Sequence, residues 1–193
     1  MQQISAKKVA LTSVAYAVTL ITVASLATVK DNKAVADDNI VTVTQPVLSP
    51  TEQVLADLHG TREQLTGTQL ANLLTAVGFK GTAHKLAWAI AMRESHARPL
   101  AHNTNAHTGD NSYGIFQINM LGSLGAERRD KFGITTNDKL FDPVTNAEAA
   151  YYMSNGGEDF GAWGVGPNAY RSGAGIDTLK EFLVDYPGAG TIK

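Results

Sequence analysis

Cysteine is absent from all 193 positions, so neither a disulfide framework nor a thiolate metal site can hold this chain together. An excess of either charge is missing too. Lysine and arginine number 16 against 18 aspartates and glutamates, and a pI near 6.2 leaves no basic footprint for nucleic acid. Hydrophobic residues make up 44% of the 20.5 kDa chain, enough to bury one ordinary core. Long uncharged runs are scarce, and the one of note, Val9 to Val29, lies near the start.

That run follows Lys7-Lys8 and is closed by Lys30-Asp31, the order of the n-region and h-region of an export signal. Its length approaches the ~20 residues that cross a bilayer, yet Thr12, Ser13, Thr19, Thr22, Ser25 and Thr28 dilute it. Ala34-Val35-Ala36 offers a small-x-small cleavage site before Asp37. Residues 1–36 are therefore expected to be a cleaved signal peptide or a retained N-terminal membrane anchor, with cleavage preferred. A buried core helix is the third and weakest reading. Either favoured reading engages the membrane or the export machinery and places the rest of the chain outside the cytoplasm. Residues 37–50 (DDNIVTVTQPVLSP) mix acids, β-branched residues and prolines without a helical period, and read as an extended linker.

Three helices are expected next. Ser49-Pro50-Thr51-Glu52 supplies an N-cap, a proline at the first position and an early acid, with Val54, Leu55 and Leu58 on the apolar side before His59-Gly60. The second runs from about Thr68 to Val77, with Leu70, Leu73, Leu74 and Val77 on one face and Gly78 as C-cap. The third, about Thr82 to Ser95, places Ala83, Ala87, Ile90 and Ala91 on one face, and Glu94 continues that stripe. A carboxyl that loses hydration on packing holds its proton more tightly and can serve as a general acid. The plainer alternative is a solvated glutamate on a frayed last turn, and the helix alone favours that one.

From Leu100 to Ser112 the chain is rich in His, Asn, Thr and Gly, so a loop or short irregular hairpin is expected. His102 and His107 match no zinc spacing and read as exposed loop histidines. Asp110-Asn111, on its own terms, makes a turn. Ser112 to Asn119 alternates small, aromatic and amide residues, as a short strand or an extended lead into a helix, with Phe116 and Ile118 as core. Glu127 to Lys131 is a solvated helix face. Asp142-Pro143 starts a helix through about Ser154, stopped by Gly156-Gly157. Glu158-Asp159 reads as capping acids. Phe160 and Trp163 are groove or core residues, and Ile176 to Tyr186 is a last helix.

Four segments, in order, resemble a known superfamily. Arg93-Glu94-Ser95-His96-Ala97 resembles the RESHA segment of goose-type lysozymes, and Glu94-Ser95 followed by Ser112-Tyr113-Gly114-Ile115-Phe116-Gln117 resembles the pattern of soluble lytic transglycosylases. Asp142-Pro143-Val144-Thr145-Asn146 with Ala150-Tyr151-Tyr152 resembles that family's DP-x-x-N helix. Ala169-Tyr170-Arg171-Ser172-Gly173 resembles its AYNxG motif, with Arg171 in place of asparagine. The arrangement around Glu94 is also similar to the lysozyme-like domains of phage tail proteins.

The resemblance implies an α+β, predominantly helical, lysozyme-like fold over residues 51–193. It implies cleavage of the β-1,4 bond between N-acetylmuramic acid and N-acetylglucosamine, with Glu94 as general acid/base. Ser112, Tyr113 and Gln117 would bind the N-acetyl sugars, and Tyr170 would orient the glutamate or the substrate. Gly109-Asp110 matches a pair that in goose-type lysozymes carries a water-positioning carboxylate; the turn reading and this one stand even. The family's second acidic position is Asn119 here. In an inverting hydrolase the two carboxyls stand about 6.5–9.5 Å apart. In a lytic transglycosylase the substrate's own acetamido and 6-hydroxyl groups replace water, and this route is narrowly preferred. A non-catalytic wall-binding or virion structural module is the alternative of a different class. Neither route needs a metal or organic cofactor. The expected partner is the glycan strand of peptidoglycan, met by a monomer that is secreted, anchored on the outer membrane face or virion-associated.

Overall fold

Two reciprocal capping boxes open the helical part of the molecule. The computed structural model describes residues 47–105, 107–166 and 175–189; the expected signal or anchor segment and Tyr170 lie outside them. Helix α1 (Pro50–Leu58) starts where the Ser49 hydroxyl accepts from the Glu52 N–H and the Glu52 carboxylate accepts from the Ser49 N–H. Helix α2 (Gly67–Val77) repeats the device with Thr66 and Gln69 and stops at Gly78. Its start lies one residue before the expected Thr68, because Thr66 takes the cap.

Helix α3 (Gly81–Ser95) is the axis of the fold. Ala87, Trp88, Ala89, Ile90 and Ala91 are all buried, so its middle is apolar on every side. Leu70, Leu73 and Leu74 of α2, with Phe79, Ile115 and Phe116, belong to the same core. The Trp88 indole N–H donates to the Gly67 carbonyl and fastens α3 to the first turn of α2. At the end of α3 the chain reverses through His96 and Ala97, both at positive φ (54° and 56°).

Three two-residue strands follow: β1 (His102–Asn103), β2 (Ser112–Tyr113) and β3 (Ile118–Asn119), antiparallel in the order β1-β2-β3. His102 faces Tyr113 across one ladder, and Ser112 faces Asn119 across the other. The polar segment is thus a hairpin, and Ser112 to Asn119 is strand, turn and strand. In helix α4 (Gly122–Phe132) Glu127, Asp130 and Lys131 of the charged segment are exposed, whereas Arg128 and Arg129 are half-buried and donate to the Asn119 carbonyl and the Asn137 side chain. Helix α5 (Pro143–Met153) is capped by Asp142. The architecture is predominantly helical with one small sheet, an α+β arrangement. Among the described residues no helix is long and apolar enough to cross a membrane.

The last helix expected over Ile176 to Tyr186 is instead two 3-10 turns, Ile176–Leu179 and Phe182–Asp185. The N–H groups of Lys180, Leu183 and Tyr186 each donate three residues back, the 3-10 pattern; Leu179 is buried, and Phe182, Leu183 and Tyr186 are partly buried against the core. The segment is tied down by Tyr186. Its hydroxyl lies 2.9 Å from Nδ1 of the buried His84, whose Nε2 lies 2.9 Å from the Ala71 carbonyl. A carbonyl only accepts, so Nε2 carries the hydrogen and the tyrosine donates to Nδ1.

Burial pushes the His84 imidazole below its ordinary value of 6.5, against the opposing pull of the Ala71 carbonyl. As pH falls, the unfolded chain therefore takes up this proton first. Folding stability is expected to drop progressively below about pH 6.5 and to be insensitive to this group above it. Urea unfolding midpoints between about pH 5 and 8 check this: the His84→Gln variant loses that slope, and an unchanged slope would assign it to another group.

Candidate active site

A cavity of about 640 Å³ opens where α3 ends. Its wall includes Glu94 from α3, Arg98 just beyond it, His102 from β1 and Gln117 from the turn before β3. Arg62 and Glu63, on the loop between α1 and α2, line it too. That loop is fastened to the α3 reversal: the Gln64 side-chain amide donates to the His96 carbonyl at 2.9 Å, and the Leu65 N–H donates to the Ala97 carbonyl at 3.1 Å.

Glu94 keeps 26% of its side chain exposed, so the desolvation read from its helical position is partial. Its carboxylate is held asymmetrically. Arg93 donates to Oε1 through Nε at 3.1 Å and through Nη2 at 2.7 Å. Oε2 has no hydrogen bond among the described residues and is the atom left to exchange a proton with a ligand. The same guanidinium donates to the Trp163 carbonyl at 2.6 Å and to the Thr178 hydroxyl at 2.9 Å. Arg93 thus ties the carboxylate to two distant stretches of chain, and this pairing fixes Glu94 more firmly than a frayed helix end would.

Gln117 sits at φ 47°, a left-handed conformation that a non-glycine residue adopts at some cost. The compensation is visible. Its Nε2 donates to the Ala101 carbonyl at 3.0 Å and to the Gly114 carbonyl at 2.9 Å. Two carbonyls against one atom fix the orientation of the amide and consume both hydrogens. The Oε1 acceptor remains, on a residue that lines the cavity.

What holds this turn in place is not the sheet. Two-residue strands supply few ladder bonds, each worth about 1 kcal/mol net. A buried side chain does the work: Asn146 of α5 accepts from the Phe116 N–H at 2.9 Å and donates to the carbonyls of Tyr113 (3.0 Å) and Leu140 (2.8 Å). Gly114, at φ 72°, lies so close that an added Cβ would stand 2.2 Å from both the Asn146 amide nitrogen and the Leu140 oxygen. From the other side Ser95 donates to the Ile115 carbonyl at 2.8 Å, and the Trp163 indole donates to the Phe116 carbonyl at 2.9 Å. Phe160 and Trp163 are both buried in the core and do not line the groove.

The six residues singled out in the sequence are placed as follows. Glu94 and Gln117 line one cavity. Tyr113 is buried, its ring 4.2 Å from that of His102, which it supports from within. Ser112 is buried beside it in β2. Asp110 is half-buried in the turn before β2, not among the cavity-lining residues, and its Oδ2 accepts from the Thr108 hydroxyl at 2.6 Å. Tyr170 falls outside the described residues. Asn119 donates through Nδ2 to the Gly109 carbonyl at 3.4 Å and accepts from the Leu121 N–H at 2.9 Å, a pairing that an aspartate, with no donor, could not make. Among the described residues no group of three or more His, Asp or Glu side chains could hold a metal ion.

Sequence reasoning overlooked Arg62, Glu63, Arg98 and His102 as wall residues and Arg93 as the partner of Glu94. Only Arg93 carried a signal, its place in the RES triplet. Asn146 was visible in the DP-x-x-N segment, but not what it bonds.

The domain is small and mostly helical, with a three-stranded hairpin sheet and a carboxylate on the wall of a polar cavity. Residues 71–165 match the family model of the lysozyme-like domain, and this match supports assignment to the lysozyme-like, lytic transglycosylase superfamily. Comparison with curated proteins and with solved structures gives no significant match. The family points to action on peptidoglycan by a glycosidase-type enzyme.

Asn146→Ala would leave a buried N–H and two carbonyls without partners, and is expected to cost about 2–4 kcal/mol of unfolding free energy. Asn146→Asp, nearly isosteric, turns an oxygen on those two carbonyls and should cost at least as much. Chemical denaturation of both variants checks this; a loss within about 0.5 kcal/mol for either would mean that other contacts hold the turn.

Proposed function

We propose that the domain cleaves the β-1,4 bond between N-acetylmuramic acid and N-acetylglucosamine as a lytic transglycosylase, with Glu94 as the single acid/base. The carrying observation is that Glu94, with Oε2 unengaged, shares a cavity wall with the free acceptor of Gln117, while Asp110 is not on that wall and its carboxylate is engaged by Thr108. In the forward step the Glu94 proton passes to the glycosidic oxygen as the C1–O bond breaks. The neighbouring acetamido oxygen covers C1. The 6-hydroxyl then attacks C1, its proton returns to Glu94, and the acetamido group is restored. No water is consumed and the product is a 1,6-anhydro sugar.

Gln117 Oε1 suits an acetamido N–H or a sugar hydroxyl, and the backbone beside Ser112 and Tyr113 supplies further polar groups. The exposed His102 ring, backed by Tyr113, offers an aromatic face for a sugar ring. Tyr170 joins the site on the motif alone. The work is placed outside the cytoplasm, where peptidoglycan lies, with residues 1–36 as signal or anchor.

One observation favours hydrolysis instead: Glu63, exposed, is a second carboxylate on the same wall. Either it or Asp110 would then direct a water to the opposite face of the sugar.

Mass spectrometry of the fragments released from purified peptidoglycan by the full chain separates the routes. Anhydromuramic ends, lighter by one water, are expected. Reducing ends would replace the transglycosylase reading with a hydrolase and make Glu63→Gln and Asp110→Asn the next variants. Glu94→Gln should lower the rate by at least about a hundredfold with the fold retained. Undiminished release by that variant would remove Glu94 from the mechanism, and no release by the folded parent would favour a wall-binding or virion structural module.

A further inference from the structure

Two guanidinium groups share the cavity wall with Glu94, and neither has an acidic partner among the described residues. Arg62 and Arg98 are exposed and line the cavity. The ion pairs among the described residues lie elsewhere: His59 with Asp142, Arg93 with Glu94, and Lys180 with Asp177. Glu94 is already paired, so among the described residues the unpaired acid on this wall is Glu63, against two unpaired cations.

Arg98 is more than a solvated surface residue. Its Nε donates to the Ser95 carbonyl at 2.8 Å, and its backbone N–H donates to the Ser95 hydroxyl at 3.2 Å. The base of the guanidinium is therefore fixed to the end of α3, directly after Glu94, while Nη1 and Nη2 make no hydrogen bond among the described residues. Two N–H ends presented from a fixed plane match the two oxygens of a carboxylate. Arg62 belongs to the loop that Gln64 and Leu65 fasten to His96 and Ala97, so both cations are carried by the same anchored corner.

We infer that Arg62 and Arg98 form an anion subsite beside Glu94 that takes a carboxylate borne on the muramoyl residue of the glycan. The identity of that glycan rests on the proposed function. The carboxylate has two sources of the same chemistry: the acids of an attached stem peptide, or the free lactyl acid of a muramoyl residue stripped of peptide. A neutral N-acetylglucosamine polymer offers neither. The subsite gives the cavity a means of telling wall glycan from other N-acetyl sugars by charge as well as by shape.

The test measures binding and cleavage separately. The full chain carrying Glu94→Gln is titrated calorimetrically with three soluble glycans: peptide-bearing strands, peptide-stripped strands with free lactyl acids, and stripped strands with those acids converted to methylamides. The methylamide strands are expected to bind about three- to tenfold more weakly than the better of the other two. Adding Arg62→Gln or Arg98→Gln should bring that better ligand down towards the methylamide level, as should raised salt. A preference for peptide-bearing strands assigns the subsite to the stem peptide, and a preference for stripped strands assigns it to the lactyl acid. Equal binding of all three, binding of none, or a preference that survives both arginine replacements in folded variants overturns the subsite. If the charge preference holds while the parent chain releases no fragments, the cleavage reading falls and the subsite stands.

Discussion

One buried amide sets the geometry on which the cavity depends. Asn146 spends its acceptor and both its hydrogens on the backbone around Gly114 and on Leu140, and no charged or shorter side chain could satisfy all three groups at once. The turn so fixed carries Gln117 into the cavity wall and offers the Ile115 carbonyl to Ser95, next to Glu94. The placement of the carboxylate relative to the turn is therefore decided from α5, an element that is not itself among the lining residues. Glycine at 114 is the other half of the same constraint, since any side chain there would occupy the space of the amide.

Much of the helical framework was legible because local chemistry and packing agree there. Ser49 caps the helix it was expected to cap, Asp142 caps the helix it was expected to start, and Leu70, Leu73 and Leu74 of the apolar period of α2 are buried. The resemblance located Glu94 and Gln117, which do share a cavity. Long-range partners were what the sequence could not reveal. Nothing in the order of residues brings Arg62 within reach of the segment after α3, because that depends on two hydrogen bonds from Gln64 and Leu65 across the fold. His102 looked like an ordinary loop histidine, and only the strand register that sets it against Tyr113 makes it part of the wall. The final segment has a plausible helical pattern, yet its backbone N–H groups donate three residues back and it forms two 3-10 turns instead.

The electrostatics of the site are divided between two arginines that look alike in sequence. Arg93 is committed to protein groups on every side: a carboxylate, a carbonyl and a hydroxyl. Arg98, five residues on, commits only its Nε and its backbone to Ser95. The first sets the position of Glu94, and the second leaves charge directed to whatever enters. A cavity with both kinds of cation can hold its own acid in place without surrendering all of its positive field to it.

The family match stops at residue 165, but the physical unit does not. Leu179 is fully buried, Thr178 takes one of the bonds of the arginine that holds Glu94, and Tyr186 seals the side of α3 at His84 and Trp88. A boundary drawn by sequence similarity would cut through the mount of the carboxylate itself. The smallest piece that keeps this geometry is set by where burial ends, and the stretch that looks most like a dispensable tail is a strut of the site.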